Sequence, residues 1–185
     1  MQGGLLLKGL WNYLYQKDAK IFVYFNQRMR CKALDLIMPR ITHLGGAIFT
    51  LLLCFLLYIF GQKDTKTAAT EAFITITGSQ GIVQLFKRKI YRKRPYMVLP
   101  EVNLFWSRLL KDYSFPSGHT TAGFSMAVIL SIYFPSYSIL TYSLAAMVGI
   151  SRIYTGMHYP SDVLSGAFLG TTFAYLTHSL GGIVL

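Results

Sequence analysis

The chain has 185 residues, of which 53% are hydrophobic and 15% aromatic, a share far above what the core of an ordinary soluble domain requires. The composition therefore indicates one membrane-embedded domain, and two cysteines exclude a disulfide framework. The formal net charge of +11 comes from Lys and Arg blocks that flank apolar stretches, which argues against a nucleic-acid-binding protein and for segments that meet phosphate groups.

Residues 1–40 are aromatic and basic but contain no uninterrupted apolar span. Lys17, Asp18 and Lys20 break the stretch 10–25, and each charge would cost about 3 kcal/mol at the bilayer centre. Apolar residues recur at helical spacing between these charges, which predicts an amphipathic helix lying in the headgroup layer. A disordered basic tail is the alternative. The N-terminal leucine block is not followed by a cleavage site, so it is not interpreted as a signal peptide.

The remaining residues, 41–185, are predicted to form a transmembrane domain. A membrane-crossing helix needs about 20 mostly apolar residues, and four stretches qualify: 41–62, 67–86, 113–151 and the residues after Asp162. The third is too long for one crossing, and the Pro and Ser of "YFPSYS" at 133–138 divide it. The expected fold is an all-α, multi-pass bundle of about five transmembrane helices.

Threading five spans up and down brings four helix ends together on one side of the membrane. The sequences at these ends are "KRKIYRKRP", "PSGH", "SR" and "HYPSD". A phosphate group there would meet guanidinium and ammonium groups, the N–H groups of a helix N-terminus and two imidazoles.

These segments contain three motifs in the order and spacing of the type-2 phosphatidic acid phosphatase superfamily, which the chain resembles from about residue 41 to about residue 180. The matching residues are Lys87, Arg94 and Pro95; Pro116, Ser117, Gly118 and His119; Ser151, Arg152, His158 and Asp162. The resemblance implies an integral-membrane lipid phosphatase whose site is shared with vanadium haloperoxidases.

The resemblance also implies a role for each motif residue. His158 would be the nucleophile that takes the phosphoryl group, with Asp162 accepting a hydrogen bond from its other ring nitrogen. His119 would be the general acid that protonates the leaving oxygen. The phosphoryl oxygens would be held by Lys87, Arg94, Arg152, the Ser117 hydroxyl and the N–H groups around Ser117 and Gly118. We expect no metal and no cofactor, because a phosphohistidine route needs none and the acidic residues do not cluster.

Other interpretations remain for parts of this pattern. A non-catalytic phospholipid-binding or transport protein would keep the same pocket. The loss of a motif histidine would favour that alternative, but both motif histidines are present. Haloperoxidases are soluble, unlike the chain expected here. His43 and His178 are interpreted as hydrogen-bonded residues at the membrane edge and not as catalytic residues. The cations between the motif residues fit a topology signal or a headgroup anchor; they are Arg88, Lys89, Arg92 and Lys93.

The expected substrate is a lipid with a terminal phosphate, such as undecaprenyl diphosphate, phosphatidylglycerophosphate or phosphatidate. The aromatic loop 96–114 is expected to cover the pocket. All Lys and Arg except Lys63 and Lys66 lie on the site side, which by the positive-inside rule favours the cytoplasm. Bacterial members of the resembled family generally open outward, and substrate-binding cations distort a count meant for plain loops. We therefore expect the site to face outward.

Overall fold

The computed structural model describes residues 2–105 and 111–184, and side chains from Tyr13 to Gly181 within these ranges. Helices and their connections make up the described chain, and it contains no β-strand, as the sequence predicts. The α-helices in chain order are α1 Gln2–Val23, α2 Lys32–Ile41, α3 Ala47–Phe60, α4 Lys63–Ile90, α5 Pro95–Val98, α6 Gly118–Tyr133, α7 Ser138–Tyr154 and α8 Pro160–Val184.

The N-terminal segment is helical, but it forms two helices and packs on the rest of the chain. A π-helical turn, Tyr24–Arg28, ends α1 before α2 begins. Phe22 is fully buried against Tyr159, and the Asn26 amide donates to the carbonyl oxygens of Asn103 at 3.0 Å and Tyr154 at 2.8 Å. The segment is therefore docked on the side where α7 ends and α8 begins. Its position in a headgroup layer stays a prediction.

The five predicted spans correspond in position to α3, α4, α6, α7 and α8. The predicted division of the long apolar stretch is confirmed: α6 ends at Tyr133, and a 3₁₀ turn at Pro135–Tyr137 leads into α7. No single helix in the described ranges has both the length and the apolar composition of a span, whereas Lys32–Gly45 and Ala47–Phe60, bent by 57°, pass that test as a pair.

Helix α6 lies at the centre of the bundle, packed against α4, α7 and α8. Small residues allow the closest of these approaches: a Cβ atom on Gly170 of α8 would lie 2.3 Å from the carbonyl oxygen of Thr121 in α6. Close helix packing through small residues is typical of membrane bundles. The core between these helices includes Ala72, Val128 and Ile129.

A polar cluster joins α4, α6 and α8 at the end of the bundle that lies away from Lys87. The buried Glu71 carboxylate accepts from Tyr133 Oη at 2.7 Å and lies 3.0 Å from Nδ1 of His178. The interpretation of His178 as a hydrogen-bonded residue is confirmed, and its position at the membrane edge stays a prediction.

Candidate active site

A cavity of about 420 Å³ opens where α3, α4, α6 and the end of α7 meet. Along α4 its lining changes from Lys87 to Gln84, Gln80 and then Ile76. At 1.5 Å per residue this change extends over about 16 Å of helix. The cavity is therefore cationic at one end and increasingly apolar toward the bundle. The motif residues that line it are Lys87, Arg94, Gly118, His119, Arg152 and His158.

His158 lies in the turn between α7 and α8 and is 2% exposed. Its Nε2 is 3.2 Å from Nη1 of Arg94. Because a guanidinium can only donate, Nε2 must accept here and carries the ring's lone pair, which leaves the proton on Nδ1. Burial, with the positive charges of Arg94 and Arg152, lowers the pKa of His158 well below its ordinary value. The ring is therefore neutral at neutral pH, as a nucleophile requires.

Asp162 lies beside His158 but does not form the predicted hydrogen bond with it. The distance from Nδ1 of His158 to Oδ2 of Asp162 is 3.6 Å, too long for a hydrogen bond. Instead, Oδ2 accepts from the backbone N–H of Tyr159 at 2.9 Å and Oδ1 accepts from Arg92 at 2.6 Å. The carboxylate thus holds the turn that carries His158.

The motif cations Lys87 and Arg94 share a partner that the sequence analysis missed. The Asp112 carboxylate receives Lys87 Nζ at 2.5 Å and Arg94 Nη2 at 2.6 Å. Although burial raises the pKa of Asp112, Lys87 and Arg94 lower it below its ordinary value, so the group is anionic. The only signal in the sequence was an acidic residue, one of two in the loop 96–114. Part of that loop, 106–110, lies outside the described residues, and so does part of the predicted pocket cover.

His119 and Arg152 reach the cavity from two different helices. His119 is in the first turn of α6, and a Cβ atom on Gly45 would lie 2.5 Å from its carbonyl oxygen, so the chain leading into α3 passes close over it. Arg152, buried near the end of α7, donates to Thr42 Oγ1 at 2.8 Å. Thr42 is a further residue that no sequence motif indicated.

Ser117 needs a correction, because it is fully buried and does not line the cavity. Its Oγ accepts from the hydroxyl of Thr120 at 2.9 Å and caps α6, and its N–H donates to the Asp162 carbonyl oxygen at 3.0 Å. A serine before a helix commonly satisfies an unpaired N–H of the first turn, and this cap engages the hydroxyl that was expected to reach a phosphate. Gly118, in contrast, lines the cavity.

Arg92 also differs from the prediction. Arg88, Lys89 and Lys93 are exposed, as a topology signal or an anchor would be. The Arg92 guanidinium instead lies 4.2 Å from the Tyr159 ring centroid and pairs with Asp18 and Asp162. Nothing in the sequence distinguishes Arg92 from its neighbours.

Within the described part of the chain, no group of three or more His, Cys, Asp or Glu side chains is placed to share a metal ion. The site chemistry available from the described side chains is a neutral imidazole, a second imidazole and a cluster of cations. This set can bind an oxyanion, attack it and protonate a leaving group.

Comparison with known proteins gives a consistent result. The family model of the PAP2 superfamily matches residues 68–182. A lipid A 1-phosphatase of Rhizobium johnstonii is 32% identical over 146 residues, which cover 70% of this chain and 59% of that protein. The crystal structure of LpxE from Aquifex aeolicus superposes with a TM-score of 0.76 at 28% identity, covering 86% of this chain and 93% of LpxE.

A second solved structure is similar over more of the chain. It is the transmembrane PAP2-type phosphatidylglycerolphosphate phosphatase from Bacillus subtilis, with a TM-score of 0.77 at 25% identity, covering 94% of this chain and 89% of that one. The all-α fold is thus that of transmembrane PAP2 proteins.

Proposed function

The chain belongs to the PAP2 superfamily of membrane lipid phosphatases, and from this premise we propose that it hydrolyses the terminal phosphate of a lipid phosphate or diphosphate through a phosphohistidine intermediate. The observation that carries the proposal is the buried, neutral His158 whose Nε2 lies 3.2 Å from Arg94 in a cavity that also holds His119 and Arg152. A neutral imidazole that carries its lone pair on Nε2 can attack a phosphoryl group once the guanidinium of Arg94 turns from Nε2 to the phosphoryl oxygens.

In the first step, Nε2 of His158 attacks phosphorus, and the bond from phosphorus to the lipid oxygen breaks. His119 donates a proton to the leaving lipid oxygen, while Asp162 holds the turn that carries His158. In the second step, His119 takes a proton from a water molecule, whose oxygen attacks phosphorus. The N–P bond breaks and inorganic phosphate leaves.

The cations supply much of the catalysis in this proposal. Uncatalysed phosphate monoester hydrolysis calls for up to about 10²¹-fold acceleration, whereas a general acid contributes about 10² to 10⁴. Lys87, Arg94 and Arg152 line the cavity together and would stabilise charge on the phosphoryl oxygens, with the Gly118 end of α6 beside them. No step requires a metal ion, so we propose metal-independent hydrolysis.

A lipid substrate fits the change in polarity along the cavity. The phosphate would lie at the Lys87 end, and the acyl or prenyl chain would leave past Leu51 and Ile76. The substrate class covers phosphatidylglycerophosphate, undecaprenyl diphosphate, phosphatidate and the 1-phosphate of lipid A. The test is release of inorganic phosphate from this panel in detergent micelles. Release from none of them would contradict the proposal.

The membrane arrangement that goes with this function has two parts. Residues 41–185 form the transmembrane phosphatase domain with five spans, and residues 1–40 lie along the headgroup layer on the site side. The exposed apolar side chains of α3, such as Ile48 and Phe55, support contact between this helix and lipid. We propose that the site faces outward.

A further inference from the structure

The first turn of α8 is fixed from outside by a residue of α1. Asp18 accepts hydrogen bonds from the backbone N–H of Ser161 at 2.9 Å and from its hydroxyl at 2.5 Å. Ser161 is the second residue of α8, where a backbone N–H has no partner within the helix. Asp18 therefore does what an N-cap side chain normally does locally, although 143 positions separate the two residues.

Asp162 supplies the local half of the same cap. It is the third residue of α8, and its Oδ2 accepts from the N–H of Tyr159, which precedes the helix. This is the return bond of a capping box. The Tyr159 side chain cannot accept a hydrogen bond from an N–H of the first turn, as a serine or aspartate at this position would. Asp18 accepts that bond, from the N–H of Ser161.

Arg92 joins the two carboxylates. Its Nη2 donates to Asp18 at 2.5 Å and its Nη1 to Asp162 at 2.6 Å. The side chains of Asp18 and Asp162 are 10% and 0% exposed. Two carboxylates buried this closely would repel each other, and the guanidinium between them offsets that repulsion.

This network holds the residues that carry His158. His158 lies two positions before α8, and its N–H and that of Met157 both donate to the carbonyl oxygen of Arg152. The ring is therefore placed by the end of α7 on one side and the first turn of α8 on the other. A shift of that turn would move Nε2 away from Arg94, and a misplacement of about 1 Å can cost about 10²-fold in rate.

We propose that Asp18 and Arg92 are positioning residues for His158, and that α1 is thereby required for full turnover. The inference rests on the proposed function. It assigns a catalytic contribution to a residue outside the range 68–182 that the superfamily model matches.

The test uses the full-length protein in detergent with the Asp18→Asn, Asp18→Ala and Arg92→Gln variants. We expect kcat to fall ten- to hundredfold for Asp18→Ala, with the inhibition constant of inorganic phosphate changed by less than twofold. Asp18 contacts Ser161 and Arg92, and neither lines the cavity that would bind phosphate. The Asp18→Asn/Arg92→Gln double variant should lose less than the product of the two single losses.

Asp35→Asn is the matched control. Asp35 is also an acidic residue of the N-terminal segment, pairs with Arg30 and accepts from Tyr154 Oη of α7 at 2.6 Å, but it does not bind α8. Its variant should keep kcat per folded protein. The nearly isosteric Asp18→Asn variant keeps the test decisive if Asp18→Ala does not fold.

Two results would overturn the inference: kcat within twofold of wild type in both Asp18 variants, or equal kcat losses in Asp18→Asn and Asp35→Asn. The first would mean that the cap does not position His158. The second would mean that Asp18 only anchors the segment. Failure of the proposed function is a separate result, because the wild-type protein would then release no phosphate from any lipid.

Discussion

The carboxylate of Asp112 lies 2.6 Å from the guanidinium of Arg94, a side chain that lines the cavity. The same carboxylate receives Lys87. Two of the motif cations therefore already have an anionic partner within the chain, and under the proposed function a phosphate group would compete with that carboxylate for them.

The first prediction follows from this competition. Asp112→Asn should lower the inhibition constant of inorganic phosphate about tenfold, because the neutral amide no longer competes for Lys87 and Arg94. Competition assays on phosphate release measure this change. Asp64→Asn, at the exposed start of α4, is the control and should leave it unchanged. Weaker phosphate binding in Asp112→Asn would instead mean that Asp112 positions the two cations.

The second prediction separates the motif cations from their neighbours. Alanine variants of Lys87, Arg94 and Arg152 should lose at least tenfold in kcat, because these side chains would stabilise the transition state. Arg88→Ala and Lys89→Ala should stay within twofold, since both side chains are exposed. Steady-state kinetics on the same lipid gives both values. Equal losses in all five variants would mean that the basic run is a general lipid anchor.

The third prediction concerns acid stability. The pKa of His158 is lower in the folded protein than in the unfolded chain, where it is about 6.5. At pH values between these two pKa values, the unfolded chain therefore binds more protons than the folded protein. The contribution of His158 to stability is thus fully present above pH 6.5 and is lost as pH falls below it, by up to about 1.4 kcal/mol per pH unit. Thermal unfolding in detergent at pH 7 and pH 5 should show a smaller acid loss for His158→Gln than for wild type. An equal loss of stability in both proteins would contradict the lowered pKa assigned to His158.

The fourth prediction tests the direction in which the site faces. Cys31 is exposed in the N-terminal segment, immediately before α2, and Cys54 is buried in α3. A membrane-impermeant maleimide added to intact cells should label the wild-type protein and not Cys31→Ser. Labelling only after permeabilisation would place the site in the cytoplasm and favour an inner-leaflet substrate.

The sequence was sufficient to predict the positions of the five helices α3, α4, α6, α7 and α8 and the motif residues that line the cavity. The length of the apolar stretch 113–151 and its Pro135 located the break between α6 and α7, and up-and-down threading brought Lys87 and His158 to one end of the bundle. These features depend on local composition and on chain connectivity, which a sequence shows directly.

The ion-pair partners could not be predicted in the same way. Arg92 and Lys93 are adjacent and both are cationic, and only the packed structure decides which one faces Asp18 and Asp162. Ser117 was assigned to the phosphate because its motif suggested it, whereas its place before α6 makes it a cap. Such choices depend on contacts between residues far apart in the sequence.

The central claim is that His158 carries the phosphoryl group during turnover. The most direct measurement is acid-free, rapid quenching of the enzyme with a hydrolysed lipid from the panel, followed by mass spectrometry of the peptide that contains His158. The account predicts a phosphate on His158 that is stable to base and lost in acid. This phosphate should be more abundant in His119→Ala if water activation is slowed. In His158→Ala, both the phosphate and turnover should be absent. Turnover within tenfold of wild type in His158→Ala, or a phosphate found on another residue, would contradict it.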